Sequence, residues 1–552
     1  MPSSRRHFLQ RAALGGAGLL LAPLAGLHSC APGSSRSHIS GSLHGANRAT
    51  GHLLRDPASL PAPTRTEAVE VLIVGGGVAG LTARRELARL GLRPEQVLLV
   101  ELDEQPGGNS RAGRNAVSAY PWGAHYLPVP DPRNHELLAF LAEAGILTGT
   151  DAASGLPIYN EYYLCHDPEE RLFIKGHWQN GLVPELGVPP AEKAQLARFF
   201  ALIDELRQTV GTDGRDAFRI PVDESSCDEQ FRHLDEQPFA AWLDAQGFTG
   251  SHLRWYLDYS CRDDYGAPAA QVSAWAGLHY FAARKGRAHN ANGADVLTWP
   301  AGNGFLVEQL RAQAPSPIRP NTVAFALHAT PTGLAADCYN VATRQTVRVA
   351  ARQVIMATPS FITERLLASL PAAAYRPLPV HRAPWVVVNL TVEGLPQGPG
   401  QPLSWDNVLF GTDSVGYVDA GHQSLSLTDA GPRVVTWYRP LSAPNPEAAR
   451  RQAYQTSYDD WVRQALAELE TAHHGLTAQV LRADVWVWGH GMVAPTPGFV
   501  WGPARAAAAR PWQNQLFFAH TDLSGISIFE EGFHQGQRAA RQVLAARSTG
   551  LA

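Results

Sequence analysis

Six residues, Gly75-Gly76-Gly77-Val78-Ala79-Gly80, have the types and the spacing to hold a pyrophosphate. Gly75 permits a tight turn, Gly77 lets the backbone come close to the phosphates, and Gly80 lets the following helix pack on the preceding strand. The amides of Val78 and Ala79, at the start of that helix, would face the phosphates, where the helix dipole favours negative charge. Glu101 lies 21 residues past Gly80, where a carboxylate accepts hydrogen bonds from the hydroxyls of an adenosine ribose. A carboxylate at that place disfavours a 2′-phosphate, so FAD or NAD is preferred over NADP.

Those groups work only if a strand, a turn and a helix follow one another directly. The chain supplies them: Val69 to Val74 predicts a buried strand, Leu81 to Leu90 a helix, and Val97 to Val100 a second strand that delivers Glu101. The agreement of strand, glycines, helix and carboxylate is what raises the pattern above an ordinary glycine-rich turn.

The 552 residues carry 46 Lys+Arg against 50 Asp+Glu, and 45% are hydrophobic, enough for a large core divided among two or three domains. Disordered and fibrous classes are excluded. A net charge of −4 leaves no global positive field, so nucleic acid is not expected as a partner. Of the basic residues 43 are Arg and three are Lys (Lys175, Lys193, Lys285), which leaves few candidates for any lysine-dependent chemistry.

At the start, Arg5-Arg6 precede an uncharged apolar run from Ala12 to Leu27, which resembles a twin-arginine signal peptide. That resemblance implies the twin-arginine translocase as a transient partner, a location in the periplasm or on the outer face of the cell membrane, and a cofactor bound before export. Cys30 follows Leu27-His28-Ser29, which resembles a lipid-attachment box, so the chain is either anchored through Cys30 or cleaved nearby. Cys165, Cys227, Cys261 and Cys338 show no CxxC spacing and give metal binding no support.

Past Glu101 the chain reads Leu102-Asp-Glu-Gln-Pro106-Gly107-Gly108-Asn109-Ser110-Arg111, and here it resembles the flavin-containing amine oxidase and phytoene desaturase-like flavoproteins. The resemblance implies FAD as cofactor, with Gly107, Gly108 and Asn109 against its phosphates and flavin. The family carries arginines beside the glycine pair; here either Arg111 or Arg114 would supply that charge. The closing segment, Gln515 to Ala519, then His520-Thr521-Asp522-Leu523-Ser524-Gly525 and a helical stretch from Phe529 to Arg547, resembles the family's last motif. It implies a carboxylate on the ribityl chain, assigned to Asp522 with Thr521 as the alternative, and a helix start near Ser527 and Ile528 aimed at the flavin ring, which would favour negative charge there. Val323 would touch the adenine, and Ala357 ends the strand that leaves for the substrate domain.

By the same resemblance Phe499 and Trp501 stand where amine oxidases build an aromatic cage. Trp255, Tyr256, Tyr259, Tyr265, Trp275, His279, Tyr280, Trp488 and His490 are further candidates for the pocket wall. Glu364 occupies the register where many of those enzymes place a lysine that assists reaction with oxygen, and Lys285 is the lysine nearest a pocket-like aromatic segment. The expected fold is α/β: a Rossmann-like FAD-binding domain of the two-dinucleotide-binding-domain type with an inserted α+β substrate domain. Its expected boundaries are a signal at 1–30, a linker at 31–66, the FAD domain at 67–127, 291–365 and 496–552, and the substrate domain at 128–290 and 366–495. The expected activity on a small-molecule substrate is hydride transfer from a C–N bond to flavin N5, by an oxidase or a dehydrogenase. The alternatives are a desaturase or isomerase acting on C–C bonds of an apolar substrate, and a non-catalytic flavin-binding partner protein.

Overall fold

A computed structural model of the chain describes residues 39–424 and 431–549. Arg5, Arg6, the apolar run after them and Cys30 lie outside the described residues. Among the described residues no helix is long and apolar enough to cross a membrane.

The elements that position the site begin with β1 (Gly41–Gly45), β2 (Arg65–Val74), α1 (Val78–Arg89), β3 (Val97–Val100), β4 (Glu170–Ile174), β5 (His177–Asn180), α2 (Ser251–Tyr265) and α3 (Ala274–Ala282). They continue with β6 (Ile318–Arg319), β7 (Thr322–Thr330), β8 (Gly333–Asn340), β9 (Gln345–Met356), α4 (Ser360–Leu366), β10 (His381–Val392) and β11 (Asp406–Leu409). The last are β12 (Tyr417–Asp419), β13 (Arg433–Pro440), β14 (Val480–Ala494), β15 (Leu516–Phe518) and α5 (Phe529–Thr549).

The first sheet runs β6-β3-β2-β9-β8-β7, with β15 paired to β9. Its core is parallel, with β2 paired to β3 and β9 and β15 to β9, as βαβ crossovers require, while β8 runs antiparallel to β9 and β7. Val71 to Val74 and Val97 to Val100 are continuous apolar runs because both faces of this sheet are covered. Val71 and Ile73 pack with Phe529, Phe533 and Val543 of α5, while Leu72 and Val74 pack with Val323, Leu366 and Phe499.

The second sheet, of eight strands, runs β1-β14-β10-β13-β12-β11-β4-β5. Here the two-residue period sorts the faces. Val386, Val388 and Leu390 of β10 pack on Trp461 and Leu466, and Trp385 and Val387 turn the other way, toward the site. The segment 128–290 contributes α2 and α3 and also strands β4 and β5 to this sheet.

Two boundary expectations are corrected. The second half of the supposed linker 31–66 is folded: β1 pairs in parallel with Ala483–Val487 of β14, and Leu54 is buried in the nucleotide-domain core. Its Ser/His/Gly-rich composition conceals this, because a strand added to an existing edge is held by backbone hydrogen bonds and needs no side-chain period of its own. The stretch around 494–501 belongs to both domains: Ala494 and Val500 sit in the core of the helical insert, Phe499 in that of the nucleotide domain.

Candidate active site

At the carboxyl ends of β2 and β9 the glycine turn forms one wall of a long cleft with about 1380 Å3 of empty space. Gly75 has φ +108°, and a Cβ there would lie 2.6 Å from the Ala357 carbonyl oxygen. Gly80 brings α1 so close to the turn that a Cβ would sit 1.9 Å from the Gly75 oxygen. Gly77 is the opposite case: no atom lies within 4 Å of its Cβ position, which leaves space for a ligand against the backbone. Gly77 caps α1 without any side-chain hydrogen bond, so the first-turn amides are left for that ligand.

Glu101 stands beside the turn. Its Oε2 accepts the Gly76 amide at 2.6 Å and its Oε1 the Asp103 amide at 2.8 Å. Burial raises its pKa to about 7, against the pull of both amides. Gly107, Gly108 and Asn109 continue the wall, with the Gly107 amide on the Gly76 oxygen at 2.8 Å. Val78, Ala79, Val323, Ala357, Asp522, Ser527 and Ile528 also line the cleft. Gly80 acts behind it, through helix packing.

Arg111 does not line the cleft. It is paired with Asp103 at 2.8 Å and lies 5.1 Å from the Trp486 ring; Arg114 is exposed, and does not line it either. The cation in the cleft is Arg382, from the start of β10. Its guanidinium donates to Ser360 Oγ at 2.8 Å and forms an ion pair with Asp522. Asp522 also accepts the Ser360 amide at 2.7 Å on Oδ2. Its other oxygen, Oδ1, is buried with His520 Nδ1 3.2 Å away and no other polar partner. Burial pushes this carboxyl up, but His520, Arg382 and the Ser360 amide together hold it well below the usual carboxylate range.

Beyond the cleft lies a second cavity with about 900 Å3 of empty space. Asn109, Ala124, Gly491, Met492, Ser527, Ile528 and Phe529 border both spaces, so the two meet there. Asn109 Nδ2 donates to the Gly491 oxygen across this junction. The far walls are Trp385, Val387 and Val415 of the second sheet and its loops, the aromatic set His125, Tyr126, Tyr438 and Trp488, and the charged group Asp263, Asp264, Arg284 and Glu530.

The residues expected to do catalysis are elsewhere. Phe499 packs under Gly525, whose Cβ would lie 3.1 Å from the Phe499 ring, and Trp501 stands edge-on to Trp275 at 5.6 Å, its amide on Asp235. Neither lines the cleft or the cavity. The turn that carries them folds into the domain cores, and the aromatic wall comes from β10, β13 and β14 instead. Glu364 is exposed on α4, and Lys285 is tied to Asp216 at 2.9 Å, outside both spaces. Trp255, Tyr256, Tyr259, Tyr265, Trp275, His279 and Tyr280 pack in or against hydrophobic cores; Trp488 lines the cavity and His490 the cleft.

Arg382, Leu54 and Tyr438 were missed from sequence. Arg382 carried one faint signal, a charge at the head of the apolar run Ala383 to Val388. Leu54 and Tyr438 carried none, since contacts from distant segments place them.

Residues 73–144 match the model of the NAD(P)-binding Rossmann-like domain. Among solved structures, wild-type putrescine oxidase bound to putrescine is 16% identical with a TM-score of 0.62, over 87% of this chain and 100% of that one. Cyclohexylamine oxidase from Brevibacterium oxydans IH-35A is 17% identical with a TM-score of 0.60, over 87% of this chain and 99% of that one. No curated protein sequence matches the chain. The protein is thus a mixed α/β chain with a Rossmann-like nucleotide domain and the amine oxidase type of fold, substrate domain included.

Proposed function

We propose that the protein is an exported FAD-dependent oxidoreductase that removes a hydride from the carbon beside an amine nitrogen. The observation that carries this reading is the junction: a nucleotide cleft at the strand ends opens, across Asn109, Gly491, Met492 and Ile528, into a walled second cavity. The cleft fits the cofactor on its own evidence, through the open Gly77 position and the orphaned Asp522 Oδ1. The turn at Gly75–Gly77 and Gly107–Gly108 would hold the pyrophosphate, Glu101 the ribose and Asp522 the ribityl chain; Leu54 and Val323 would flank the adenine. Bound FAD supplies a two-electron acceptor at the ring. The chain's own part is to orient the donor and keep water out, which the aromatic and apolar walls of the cavity serve. That both structural relatives are named for amines supports a C–N bond as the site of oxidation.

Purified protein should show flavin absorbance or take up FAD, and small amines should bleach it without oxygen while apolar polyenes do not. Absence of flavin uptake sinks the cofactor assignment; bleaching by polyenes alone turns the reading to C–C chemistry; bleaching by neither leaves a binding protein. Export is tested by Arg5→Lys with Arg6→Lys, which should retain the protein in the cytoplasm. Mass spectrometry of the mature N-terminus decides between a lipid on Cys30 and cleavage nearby.

A further inference from the structure

The cavity's charges do not balance. It is lined by three carboxylates, Asp263, Asp264 and Glu530, against one guanidinium, Arg284. That guanidinium is engaged: its Nη2 donates to both Asp264 oxygens at 2.9 and 3.0 Å, and its carbon lies 4.1 Å from the Tyr280 ring centre. Glu530 is only 5% exposed, yet no other described residue hydrogen-bonds or ion-pairs with its side chain. Asp263 likewise has no side-chain partner among the described residues. His125, which could have offered a charge, is stacked 4.5 Å from Tyr438, and burial lowers its pKa to about 4.

Arg284 pulls on both from a distance, but two carboxylates lining a cavity without a direct ion-pair partner are costly unless they are protonated or a ligand brings a cation. Burial drives Asp263 and Glu530 up to about 7, so the first remedy is only partial at neutral pH. Asp264 and, from beyond the lining, Glu170 raise Asp263 further, against the pull of Arg284 and Arg262. Asp263, Asp264 and Glu530 do not form a metal-ligand set. The lining also includes the apolar side chains of Trp385, Val387, Val415 and Ile528, which suit a methylene chain.

We infer that this cavity recognises a second positive charge on its substrate: a linear diamine or oligoamine whose distal ammonium is held by Asp263 and Glu530. The inference rests on the amine reading above. A nitrogen that loses its neighbouring carbon's hydride must be uncharged, because its lone pair stabilises the product iminium, and both electrons leave with the hydride. The reacting nitrogen therefore has no use for two carboxylates, and a distal one does.

The test uses ligands that bind without reacting. In FAD-loaded protein, the flavin absorbance change should report 1,4-bis(trimethylammonio)butane binding at least tenfold more tightly than butyltrimethylammonium. Asp263→Asn and Glu530→Gln should each cut that ratio by threefold or more. A wild-type ratio below three overturns the inference, as does a high ratio that survives both substitutions; the wild-type comparison stands even if one variant fails to fold. Since quaternary nitrogens cannot be oxidised, a preserved dication preference with no bleaching by any amine would refute the amine reading alone. Equal reduction by butylamine and 1,4-diaminobutane would overturn the dication inference alone.

Discussion

The Arg382 guanidinium and the Asp522 carboxylate form a buried ion pair that joins the second sheet to the nucleotide domain. The acid comes from the turn after β15 and the base from the head of β10, 140 residues apart in the chain. Arg382 and the Ser360 amide converge on one Asp522 oxygen while the other lies 3.2 Å from His520 Nδ1, so a substrate-domain strand sets the orientation of an acid that lines the cleft.

Removing this partner should therefore be felt at the cofactor. Breaking a buried pair costs about 3–5 kcal/mol, much of it from the abandoned charge. Arg382→Gln should lower the melting temperature of the apo-protein and weaken FAD binding by about tenfold or more, read by flavin fluorescence quenching. An unchanged FAD affinity would show that the pair serves folding only.

The two glycines of the turn should fail in different ways. Gly80→Ala forces a Cβ to 1.9 Å from the Gly75 oxygen; overpacking of this kind costs about 1–3 kcal/mol, visible as a lower melting temperature. Gly77→Ala meets nothing within 4 Å and should melt like the parent while losing FAD affinity. Thermal melts with and without FAD separate them.

Glu101 should make FAD binding pH-dependent. Its pKa in the folded chain is raised to about 7 by burial. Its contribution to apo-protein stability is thus complete below the ordinary carboxylate range and is lost as pH rises through about 7. Ribose hydroxyls donate to the ionised form, so FAD should bind more tightly at pH 8 than at pH 6, on the order of tenfold. Glu101→Gln should flatten that profile in a titration calorimeter.

No lysine lines either space: Lys285 is held by Asp216, and Lys175 reaches only the Gly187 carbonyl. Turnover with a redox dye as electron acceptor should therefore exceed turnover in air by about tenfold. Comparable rates in a stopped-flow comparison would contradict this.

The parts legible in the sequence were those encoded locally. Gly75 to Gly80 and Glu101 announce themselves by spacing, because one βα turn brings them together. The α/β class was equally open, from unbroken apolar runs such as Val71 to Val74. The wall of the second cavity was not legible: Phe499 and Trp501 have the right types, but the turn that carries them bends into the domain cores. Tyr438, Trp385 and Asp263 converge from β13, β10 and α2, and nothing within any one of these segments marks that convergence.

Strand β1 has a consequence for anyone shortening the chain. It covers one side of β14 from Ala483 to Val487. A version begun at Thr64 would bare a row of unsatisfied amides and carbonyls along Leu481 to Val487, a ready template for intermolecular pairing. Such a protein should clump in solution even where its nucleotide cleft is intact.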